Sequence, residues 1–280
     1  MPGPPGLEIR IMRRAEVDLA LEWAAREGWN PGLTDADCFH AADPDGFLIG
    51  CVAGEPIGCI SVVRYGENFG FLGFYIVKPE WRGQGYGLQI WQAGMGKLQD
   101  RTVGLDGVID QQENYMRSGF VLAHRNVRFG GVAHFPQPQD ERVVPVGSAM
   151  EEAIIAYDRA FFPADRGAFL RCWLQRQALA VVERGKLRGY GVIRDCRTGF
   201  KIGPLFADAP EQADLLLRAL ACTGNGQVVF LDCPEPNRAA TDLACRYGLS
   251  PVFETARMYR GAIPDLAISR TYGMTTFELG

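Results

Sequence analysis

Residues 82–88, Arg82-Gly83-Gln84-Gly85-Tyr86-Gly87-Leu88, set one arginine and three glycines directly after the apolar run that closes on Val77-Lys78-Pro79. Glycines at that spacing let the backbone approach a ligand closely. Where a helix begins on such a turn, its first amides concentrate partial positive charge on an anion. Arg82 adds a donor for a charge-assisted hydrogen bond to phosphate. The chemistry served is the holding of a pyrophosphate. Two familiar phosphate motifs fail here. A dinucleotide-binding turn needs Gly-x-Gly-x-x-Gly, and a P-loop needs Gly-Lys-Ser/Thr, whereas Gly96-Lys97 is followed by Leu98 and Trp91 occupies the place of the early glycine.

The pattern that does fit, Arg82-x-x-Gly85-x-Gly87 after a Val-x-Pro strand end, resembles the acyl-CoA signature of the GNAT N-acetyltransferase superfamily. Asn114-Tyr115-Met-Arg-Ser-Gly119-Phe120 is similar to the second signature of that superfamily, Tyr-x-x-x-Gly-Phe. The resemblance implies that acetyl-CoA is held by Ile76, Val77, Arg82, Gly83, Gln84, Gly85, Tyr86, Gly87, Leu88, Asn114 and Tyr115. It also implies that Tyr115 sits beside the sulfur and protonates the departing thiolate, a modest demand because free thiols have a pKa of about 8.5. The alternative reading makes Tyr115 and Phe120 core aromatics. One departure stands out: the asparagine and alanine common earlier in this helix are replaced by residues 108–112.

The acceptor is read as a primary amine that attacks the thioester directly once it has lost a proton. No carboxylate interrupts residues 69–77, so the base is sought among Asp106, at a strand end facing the site, and Asp110 or Glu113 in the next loop; Asp106 equally suits a turn or cap. In the superfamily the loop between the first two helices lines the acceptor pocket, which makes Trp29 and Asn30 substrate-facing candidates, against a purely structural Trp at the core edge. Gly28-Trp-Asn-Pro-Gly32 and the tandem layout also resemble aminoglycoside 2′-N-acetyltransferases of the kasugamycin-inactivating kind. A polyamine, an amino acid derivative or a protein amine would leave much the same sequence, and a non-catalytic acyl-CoA sensor is the rival from another class.

The elements that must position these groups follow from pattern. Aromatic and β-branched residues predict a strand over 69–77, ended by Pro79, and Leu88, Trp91, Met95 and Leu98 predict the helix behind the glycine loop. Upstream come a strand at 7–12, a helix at 15–27 closed by Gly28, a helix opened by a Thr34–Asp37 capping box, and a hairpin of 47–53 and 57–65 about Gly54-Glu55. Downstream come strands at 102–106 and 120–129. The same order then recurs: helices at 148–160, with Ser148 as cap and Glu151 completing it, and 168–175, a hairpin at 178–194, a strand at 200–207, a helix at 210–223, a strand at 227–232, a helix at 237–247 and a strand at 251–259. Leu231-Asp232 echoes Leu105-Asp106, and Gly248-Leu249 echoes Gly119-Phe120. The counterpart of the glycine loop, residues 206–213, has no glycine and presents Asp208 and Glu211, which repel a pyrophosphate.

The expected fold is therefore a mixed α/β sheet in tandem GNAT-like domains: a catalytic, acetyl-CoA-binding domain at 1–135, a Pro-rich charged linker at 136–147 and a degenerate copy at 148–280. The second copy is read as a scaffold or a wall of the acceptor pocket, with chance similarity of an unrelated α/β domain as the competing account.

Composition narrows the classes. At 280 residues, 47% hydrophobic and 22% charged, the chain reads as globular rather than disordered. A net charge of −4 with no Lys/Arg block argues against nucleic acid. The apolar runs are too short for a membrane span, and Met1-Pro-Gly-Pro-Pro-Gly lacks the charged and apolar regions of a signal peptide, which gives a cytoplasmic expectation with no membrane partner. Eight cysteines without a Cys-x-x-Cys pair are read as free buried thiols, and three histidines without ligand spacing predict no metal. A Gly-x-Ser-x-Gly elbow is absent, so a Ser-His-Asp hydrolase is disfavoured. The partner is a small-molecule amine, and a homodimer is admissible.

Overall fold

The aromatic and β-branched runs become strands of one continuous 13-stranded sheet in the computed structural model, which describes residues 6–132 and 134–280. Met1 to Pro5, the bulk of the stretch read for a signal peptide, lie outside the described residues. The first half runs β1 (Leu7–Ile11), α1 (Arg14–Arg26), α2 (Asp35–Ala42), β2 (Phe47–Val52), β3 (Glu55–Tyr65), β4 (Phe69–Val77), α3 (Tyr86–Lys97), β5 (Thr102–Val108), α4 (Gln112–Arg117) and β6 (Val121–Val132). The second runs β7 (Val143–Pro145), α5 (Glu151–Asp158), α6 (Gly167–Trp173), β8 (Gln177–Glu183), β9 (Lys186–Asp195), β10 (Phe200–Ala207), α7 (Pro210–Ala221), β11 (Val228–Pro234), α8 (Arg238–Arg246), β12 (Ser250–Arg260) and β13 (Thr271–Gly273). Among the described residues no helix is long and apolar enough to cross a membrane.

The strand order is β1-β2-β3-β4-β5-β12-β6-β11-β10-β9-β8-β7. Adding six to each strand number of the first half reverses the list onto itself, so the two halves are related by a pseudo-twofold axis between β6 and β12. Each half has given its last strand to the other. β12 pairs antiparallel with β5, and β6 pairs antiparallel with β11. The exchange covers the open edge that β5 and β11 would otherwise present. Among the described residues only β13, which pairs with β10, has no counterpart.

Two buried ion pairs lie at the exchanged edges. Arg257 on β12 donates to both carboxylate oxygens of Asp106 on β5 (2.6 and 2.8 Å), and Arg128 on β6 does the same to Asp232 on β11 (2.6 and 2.8 Å). Each is a bidentate fork, the geometry that best repays the desolvation of both charges. One apolar cluster under α1, α2, α5 and α6 spans both halves, with Phe39 stacked on Trp173 at 6.1 Å. Separate clusters lie under α3 and under α7 and α8.

Three local expectations are corrected. Thr34 makes no side-chain cap, and the Asp37 side chain accepts from Arg14 (2.8 Å), so neither half of the capping box forms. Ser148 opens a short 3-10 turn and Glu151 is the first residue of α5, so no capping box forms there. Cys38 and Cys172 form a disulfide that joins α2 to α6, so two of the thiols expected to be free are not; with a sequence separation of 134, no local spacing rule connects the pair. Cys51, Cys59, Cys196 and Cys233 are free and buried, while Cys245 is exposed. The stretch read as linker carries β7 on the sheet edge.

Candidate active site

β4 and β5 run parallel only from Phe69–Thr102 to Leu72–Leu105 and then diverge. At the point of divergence β4 is kinked: Phe74 has φ +44°, and the β3–β4 register shifts between Cys59 and Ser61. A non-glycine residue held in that region costs about 1–3 kcal/mol and persists only where its surroundings enforce it. Here the Phe74 ring is buried against Phe39 and Phe47, and its carbonyl accepts a hydrogen bond from the Cys59 thiol (3.1 Å). The splay opens a cleft of about 670 Å³ whose walls include residues 72–77 of β4 and 105–108 of β5.

At one end of the cleft lies the glycine turn. Gly83 and Gly85 have φ +74° and +84°, a conformation that disfavours other residues, and Gly85 is the N-cap of α3 with no side chain capping the first amides. A Cβ on Gly87 would stand 2.8 Å from the Tyr75 hydroxyl, so any larger residue there would make the Tyr75 side chain shift. The cradle therefore suits a phosphate held mainly by backbone. Arg82 donates to the Val77 carbonyl (2.7 Å) and pairs with Glu27 at the mouth. Both partners are well exposed, and an ion pair of that kind is worth little, so a phosphate can replace Glu27.

Tyr115 stands on the opposite wall. Its ring fits because residue 107 is glycine, where a Cβ would overlap it, and it stacks on Trp91 at 5.8 Å. Burial, with a smaller contribution from Tyr75, pushes its phenol up to about 12. The hydroxyl therefore keeps its proton throughout the neutral range and serves as a donor.

Of the residues singled out from sequence, Ile76, Val77, Arg82, Gly83, Gly87, Asp106, Asp110, Tyr115 and Trp29 meet around this one cleft, while Glu113 does not line it. Gln84, Gly85, Tyr86 and Leu88 adjoin it at the start of α3 without lining it. Gln84 bonds back to the Glu80 carbonyl, Tyr86 is buried against Trp81 and Leu88 points outward, 60% exposed. The Asn114 amide is exposed and engaged with Gln111 and Arg117, not with the cleft.

Two candidates are corrected by their contacts. Asn30 is not substrate-facing: its amide exchanges two hydrogen bonds with the backbone of Thr198 in the other half (3.0 Å each), at φ +51°. Asp106 lines the cleft, yet its oxygens accept from Arg257 and from Asn126, and its side chain has no exposed surface. Burial outweighs the pull of Arg257 and raises its pKa above the usual carboxylate value, but both oxygens are already taken by the donors that lock the strands. Asp232 makes the same pair in the half without the glycine loop, so strand locking alone accounts for both.

Sequence reasoning admitted a wall from the second half but named none of its residues. Phe253 and Thr255 of β12, and Phe277 and Glu278 of the chain beyond β13, line the cleft from the second half. Arg128 donates to the Trp29 carbonyl (2.7 Å) and lies over the rings of Phe253 and Phe277, so one buried guanidinium supports three aromatic walls. Lys201, fully buried with its pKa lowered by desolvation, donates to the Asn30 carbonyl (2.9 Å). The only sequence signal for Glu278 is a lone carboxylate between apolar neighbours, Phe277 and Leu279.

Residues 14–120 match the model of the acetyltransferase (GNAT) family, and residues 154–273 match that of an acetyltransferase (GNAT) domain. The chain is 31% identical over 269 residues to a holothin acyltransferase from Pseudoalteromonas, an alignment covering 95% of this chain and 92% of that one. In fold it is similar to a putative acetyltransferase from Pyrococcus horikoshii, with a TM-score of 0.84, 22% identity and coverage of 100% and 98% of the two chains. A tandem GNAT protein from the clavulanic acid biosynthesis pathway shares the fold at a TM-score of 0.63, with 14% identity and coverage of 92% and 100%.

Proposed function

Because the chain belongs to the GNAT acetyltransferase family and is an acyltransferase with two GNAT domains, we propose that it transfers the acetyl group of acetyl-CoA to the primary amine of a small molecule, using the cleft of the first half. The observation that carries this is the convergence on one cleft of the uncapped α3 amides, the splayed β4 backbone and the protonated Tyr115. The α3 amides and Arg82 bind the pyrophosphate of the thioester substrate, and the free edge of β4 about Ile76 and Val77 binds its amide arm and the carbonyl oxygen. A preorganised donor at such an oxygen is worth roughly 3 kcal/mol in the barrier. The amine attacks the carbonyl carbon, the carbon–sulfur bond breaks, and Tyr115 donates to the leaving sulfur.

The acceptor pocket has aromatic walls, Trp29, Phe253 and Phe277. Of the carboxylates on the cleft, Asp106 and Glu27 are paired with arginines, whereas Asp110 and Glu278 form no ion pair among the described residues. The aromatic walls favour a flat amine, which agrees with the relative named for acylating holothin, and the unpaired carboxylates admit it as an ammonium. An aminoglycoside of the kasugamycin kind is accordingly the less favoured acceptor.

The test is free-thiol release from acetyl-CoA with holothin, tryptamine, kasugamycin, a polyamine and a peptide amine, with product mass read in parallel. A product heavier by one acetyl group from an aromatic or heteroaromatic amine supports the reading. Tight CoA binding with no turnover across the panel would replace it with a sensor.

A further inference from the structure

The chain after β13 leaves one half and enters the other. Residues 271–280 are buried throughout although they include Thr271, Thr275, Thr276 and Glu278. The segment is held along its length: the Met274 amide donates to the Asp232 carbonyl (2.7 Å), the Leu279 amide to the Thr276 hydroxyl (2.9 Å), Tyr65 to the Leu279 carbonyl (3.2 Å) and Arg166 to the Gly280 carbonyl (2.8 Å). These bonds carry it against β4 at Gly73, beside the kink at Phe74, where any Cβ would overlap the carbonyl oxygen of Glu278.

Glu278 is only 4% exposed, it lines the same cleft as Tyr115 and residues 72–77, and its Oε2 is buried with no hydrogen-bond partner among the described residues. Leaving a buried carboxylate oxygen unsatisfied is costly. Arg128, Arg194 and Lys201 are near enough to feel its charge, yet among the described residues none forms an ion pair with it. Asp106 on the same cleft is saturated by comparison.

Resting on the acyl-transfer reading above, we propose that Glu278, supplied by the second half, is the general base for the acceptor amine in the first half. An acceptor that arrives as ammonium gives its first proton to Glu278, which passes it to solvent. The neutral nitrogen then bonds to the thioester carbonyl carbon, and Glu278 takes the second N–H proton as the amide forms. The carbon–sulfur electron pair leaves on sulfur, which takes the Tyr115 proton, and solvent carries the proton from Glu278 back to Tyr115. The sum is ammonium plus thioester giving amide, free thiol and one released proton.

The test compares the wild-type chain with Glu278→Gln and Glu278→Asp, using acetyl-CoA with holothin or tryptamine, whichever the wild type turns over faster. Glu278→Gln should lower kcat at neutral pH by about 10²- to 10³-fold. Its KM for acetyl-CoA and its thermal midpoint should stay near wild type, because the side chain accepts no bond that the fold requires. Its residual rate should rise about tenfold per pH unit as hydroxide takes over, and Glu278→Asp should recover part of the loss. Added formate should partly restore a Glu278→Ala variant. An active wild type matched within threefold by Glu278→Gln, or a loss in that variant with an unchanged pH profile and no formate rescue, would overturn the assignment alone. Silence of the wild type with both amines would overturn the acyl-transfer reading and the assignment with it.

Discussion

The two halves offer the same notch in two conditions. In the first, β4 and β5 separate after Leu72 and Leu105, and a cleft opens between them. In the second, β10 and β11 separate after Ile202 and Leu231 in the same way, with the register of β10 shifting there as that of β4 does. That second notch is filled. β13 pairs with β10 at Leu205 and Phe206, and the chain beyond it crowds Gly203, where a Cβ would overlap the carbonyls of Met274 and Thr275. The turn before α7 lacks glycine, and its acids are engaged: Asp208 with Tyr157 and Arg188, and Glu211 with Arg142. One repeat has kept an open cleft, and the other has filled its notch with a segment that then walls the first. The lesson is that a degenerate copy can matter to the reaction through what it delivers rather than what it binds.

The largest expected effect tests whether Asp106 and Asp232 are equivalents. Asp106→Asn leaves Arg257 buried without its counter-charge, and Asp232→Asn does the same to Arg128. Each should cost about 3–5 kcal/mol in denaturant unfolding. Below its transition, folded Asp106→Asn should keep kcat within a few-fold of wild type. A collapse of kcat there without comparable destabilisation would break the symmetry and return Asp106 to the chemistry.

Gly85→Asp sets a carboxylate and a strained φ at the start of α3 and should weaken acetyl-CoA binding at least about 100-fold, roughly 3 kcal/mol by calorimetry. Wild-type affinity in that variant would move the thioester out of the cleft. Tyr115→Phe should reduce kcat about 10- to 100-fold, or about 1.4–2.7 kcal/mol, with CoA affinity unchanged. A general acid fails as pH rises through its pKa. With Tyr115 at about 12, wild-type activity should show no alkaline fall from this group below about pH 11. A loss near neutral pH that Tyr115→Phe abolishes would contradict the donor role.

The smallest effect sharpens the contrast between the two turns. Ala209 is the N-cap of α7 in extended conformation with no side-chain cap, so Ala209→Asp should accept from the first-turn amides and raise stability by about 1 kcal/mol. Acetyl-CoA binding should not change. The same residue type thus should destroy function at position 85 and help the fold at position 209.

Much of this molecule was legible in the sequence wherever the deciding interaction is local. The Phe69–Val77 strand, the left-handed glycines before α3, the hairpins and the repeated order of elements rest on propensity, turn chemistry and periodicity over short windows. Those signals led to the glycine loop, and the resemblance of residues 114–120 to the second GNAT signature pointed to Tyr115. Tertiary structure alone decided the strand exchange, since a single sheet and two separate ones need the same strands in the same order. It also decided that Asp106 is an arginine's partner, that Asn30 faces Thr198 and that Cys38 meets Cys172, because each partner is contributed by the other half. Residues 271–280 are the clearest case. Buried on every side, they carry no alternation and look like a polar tail, and only the two notches they cross give Glu278 its place.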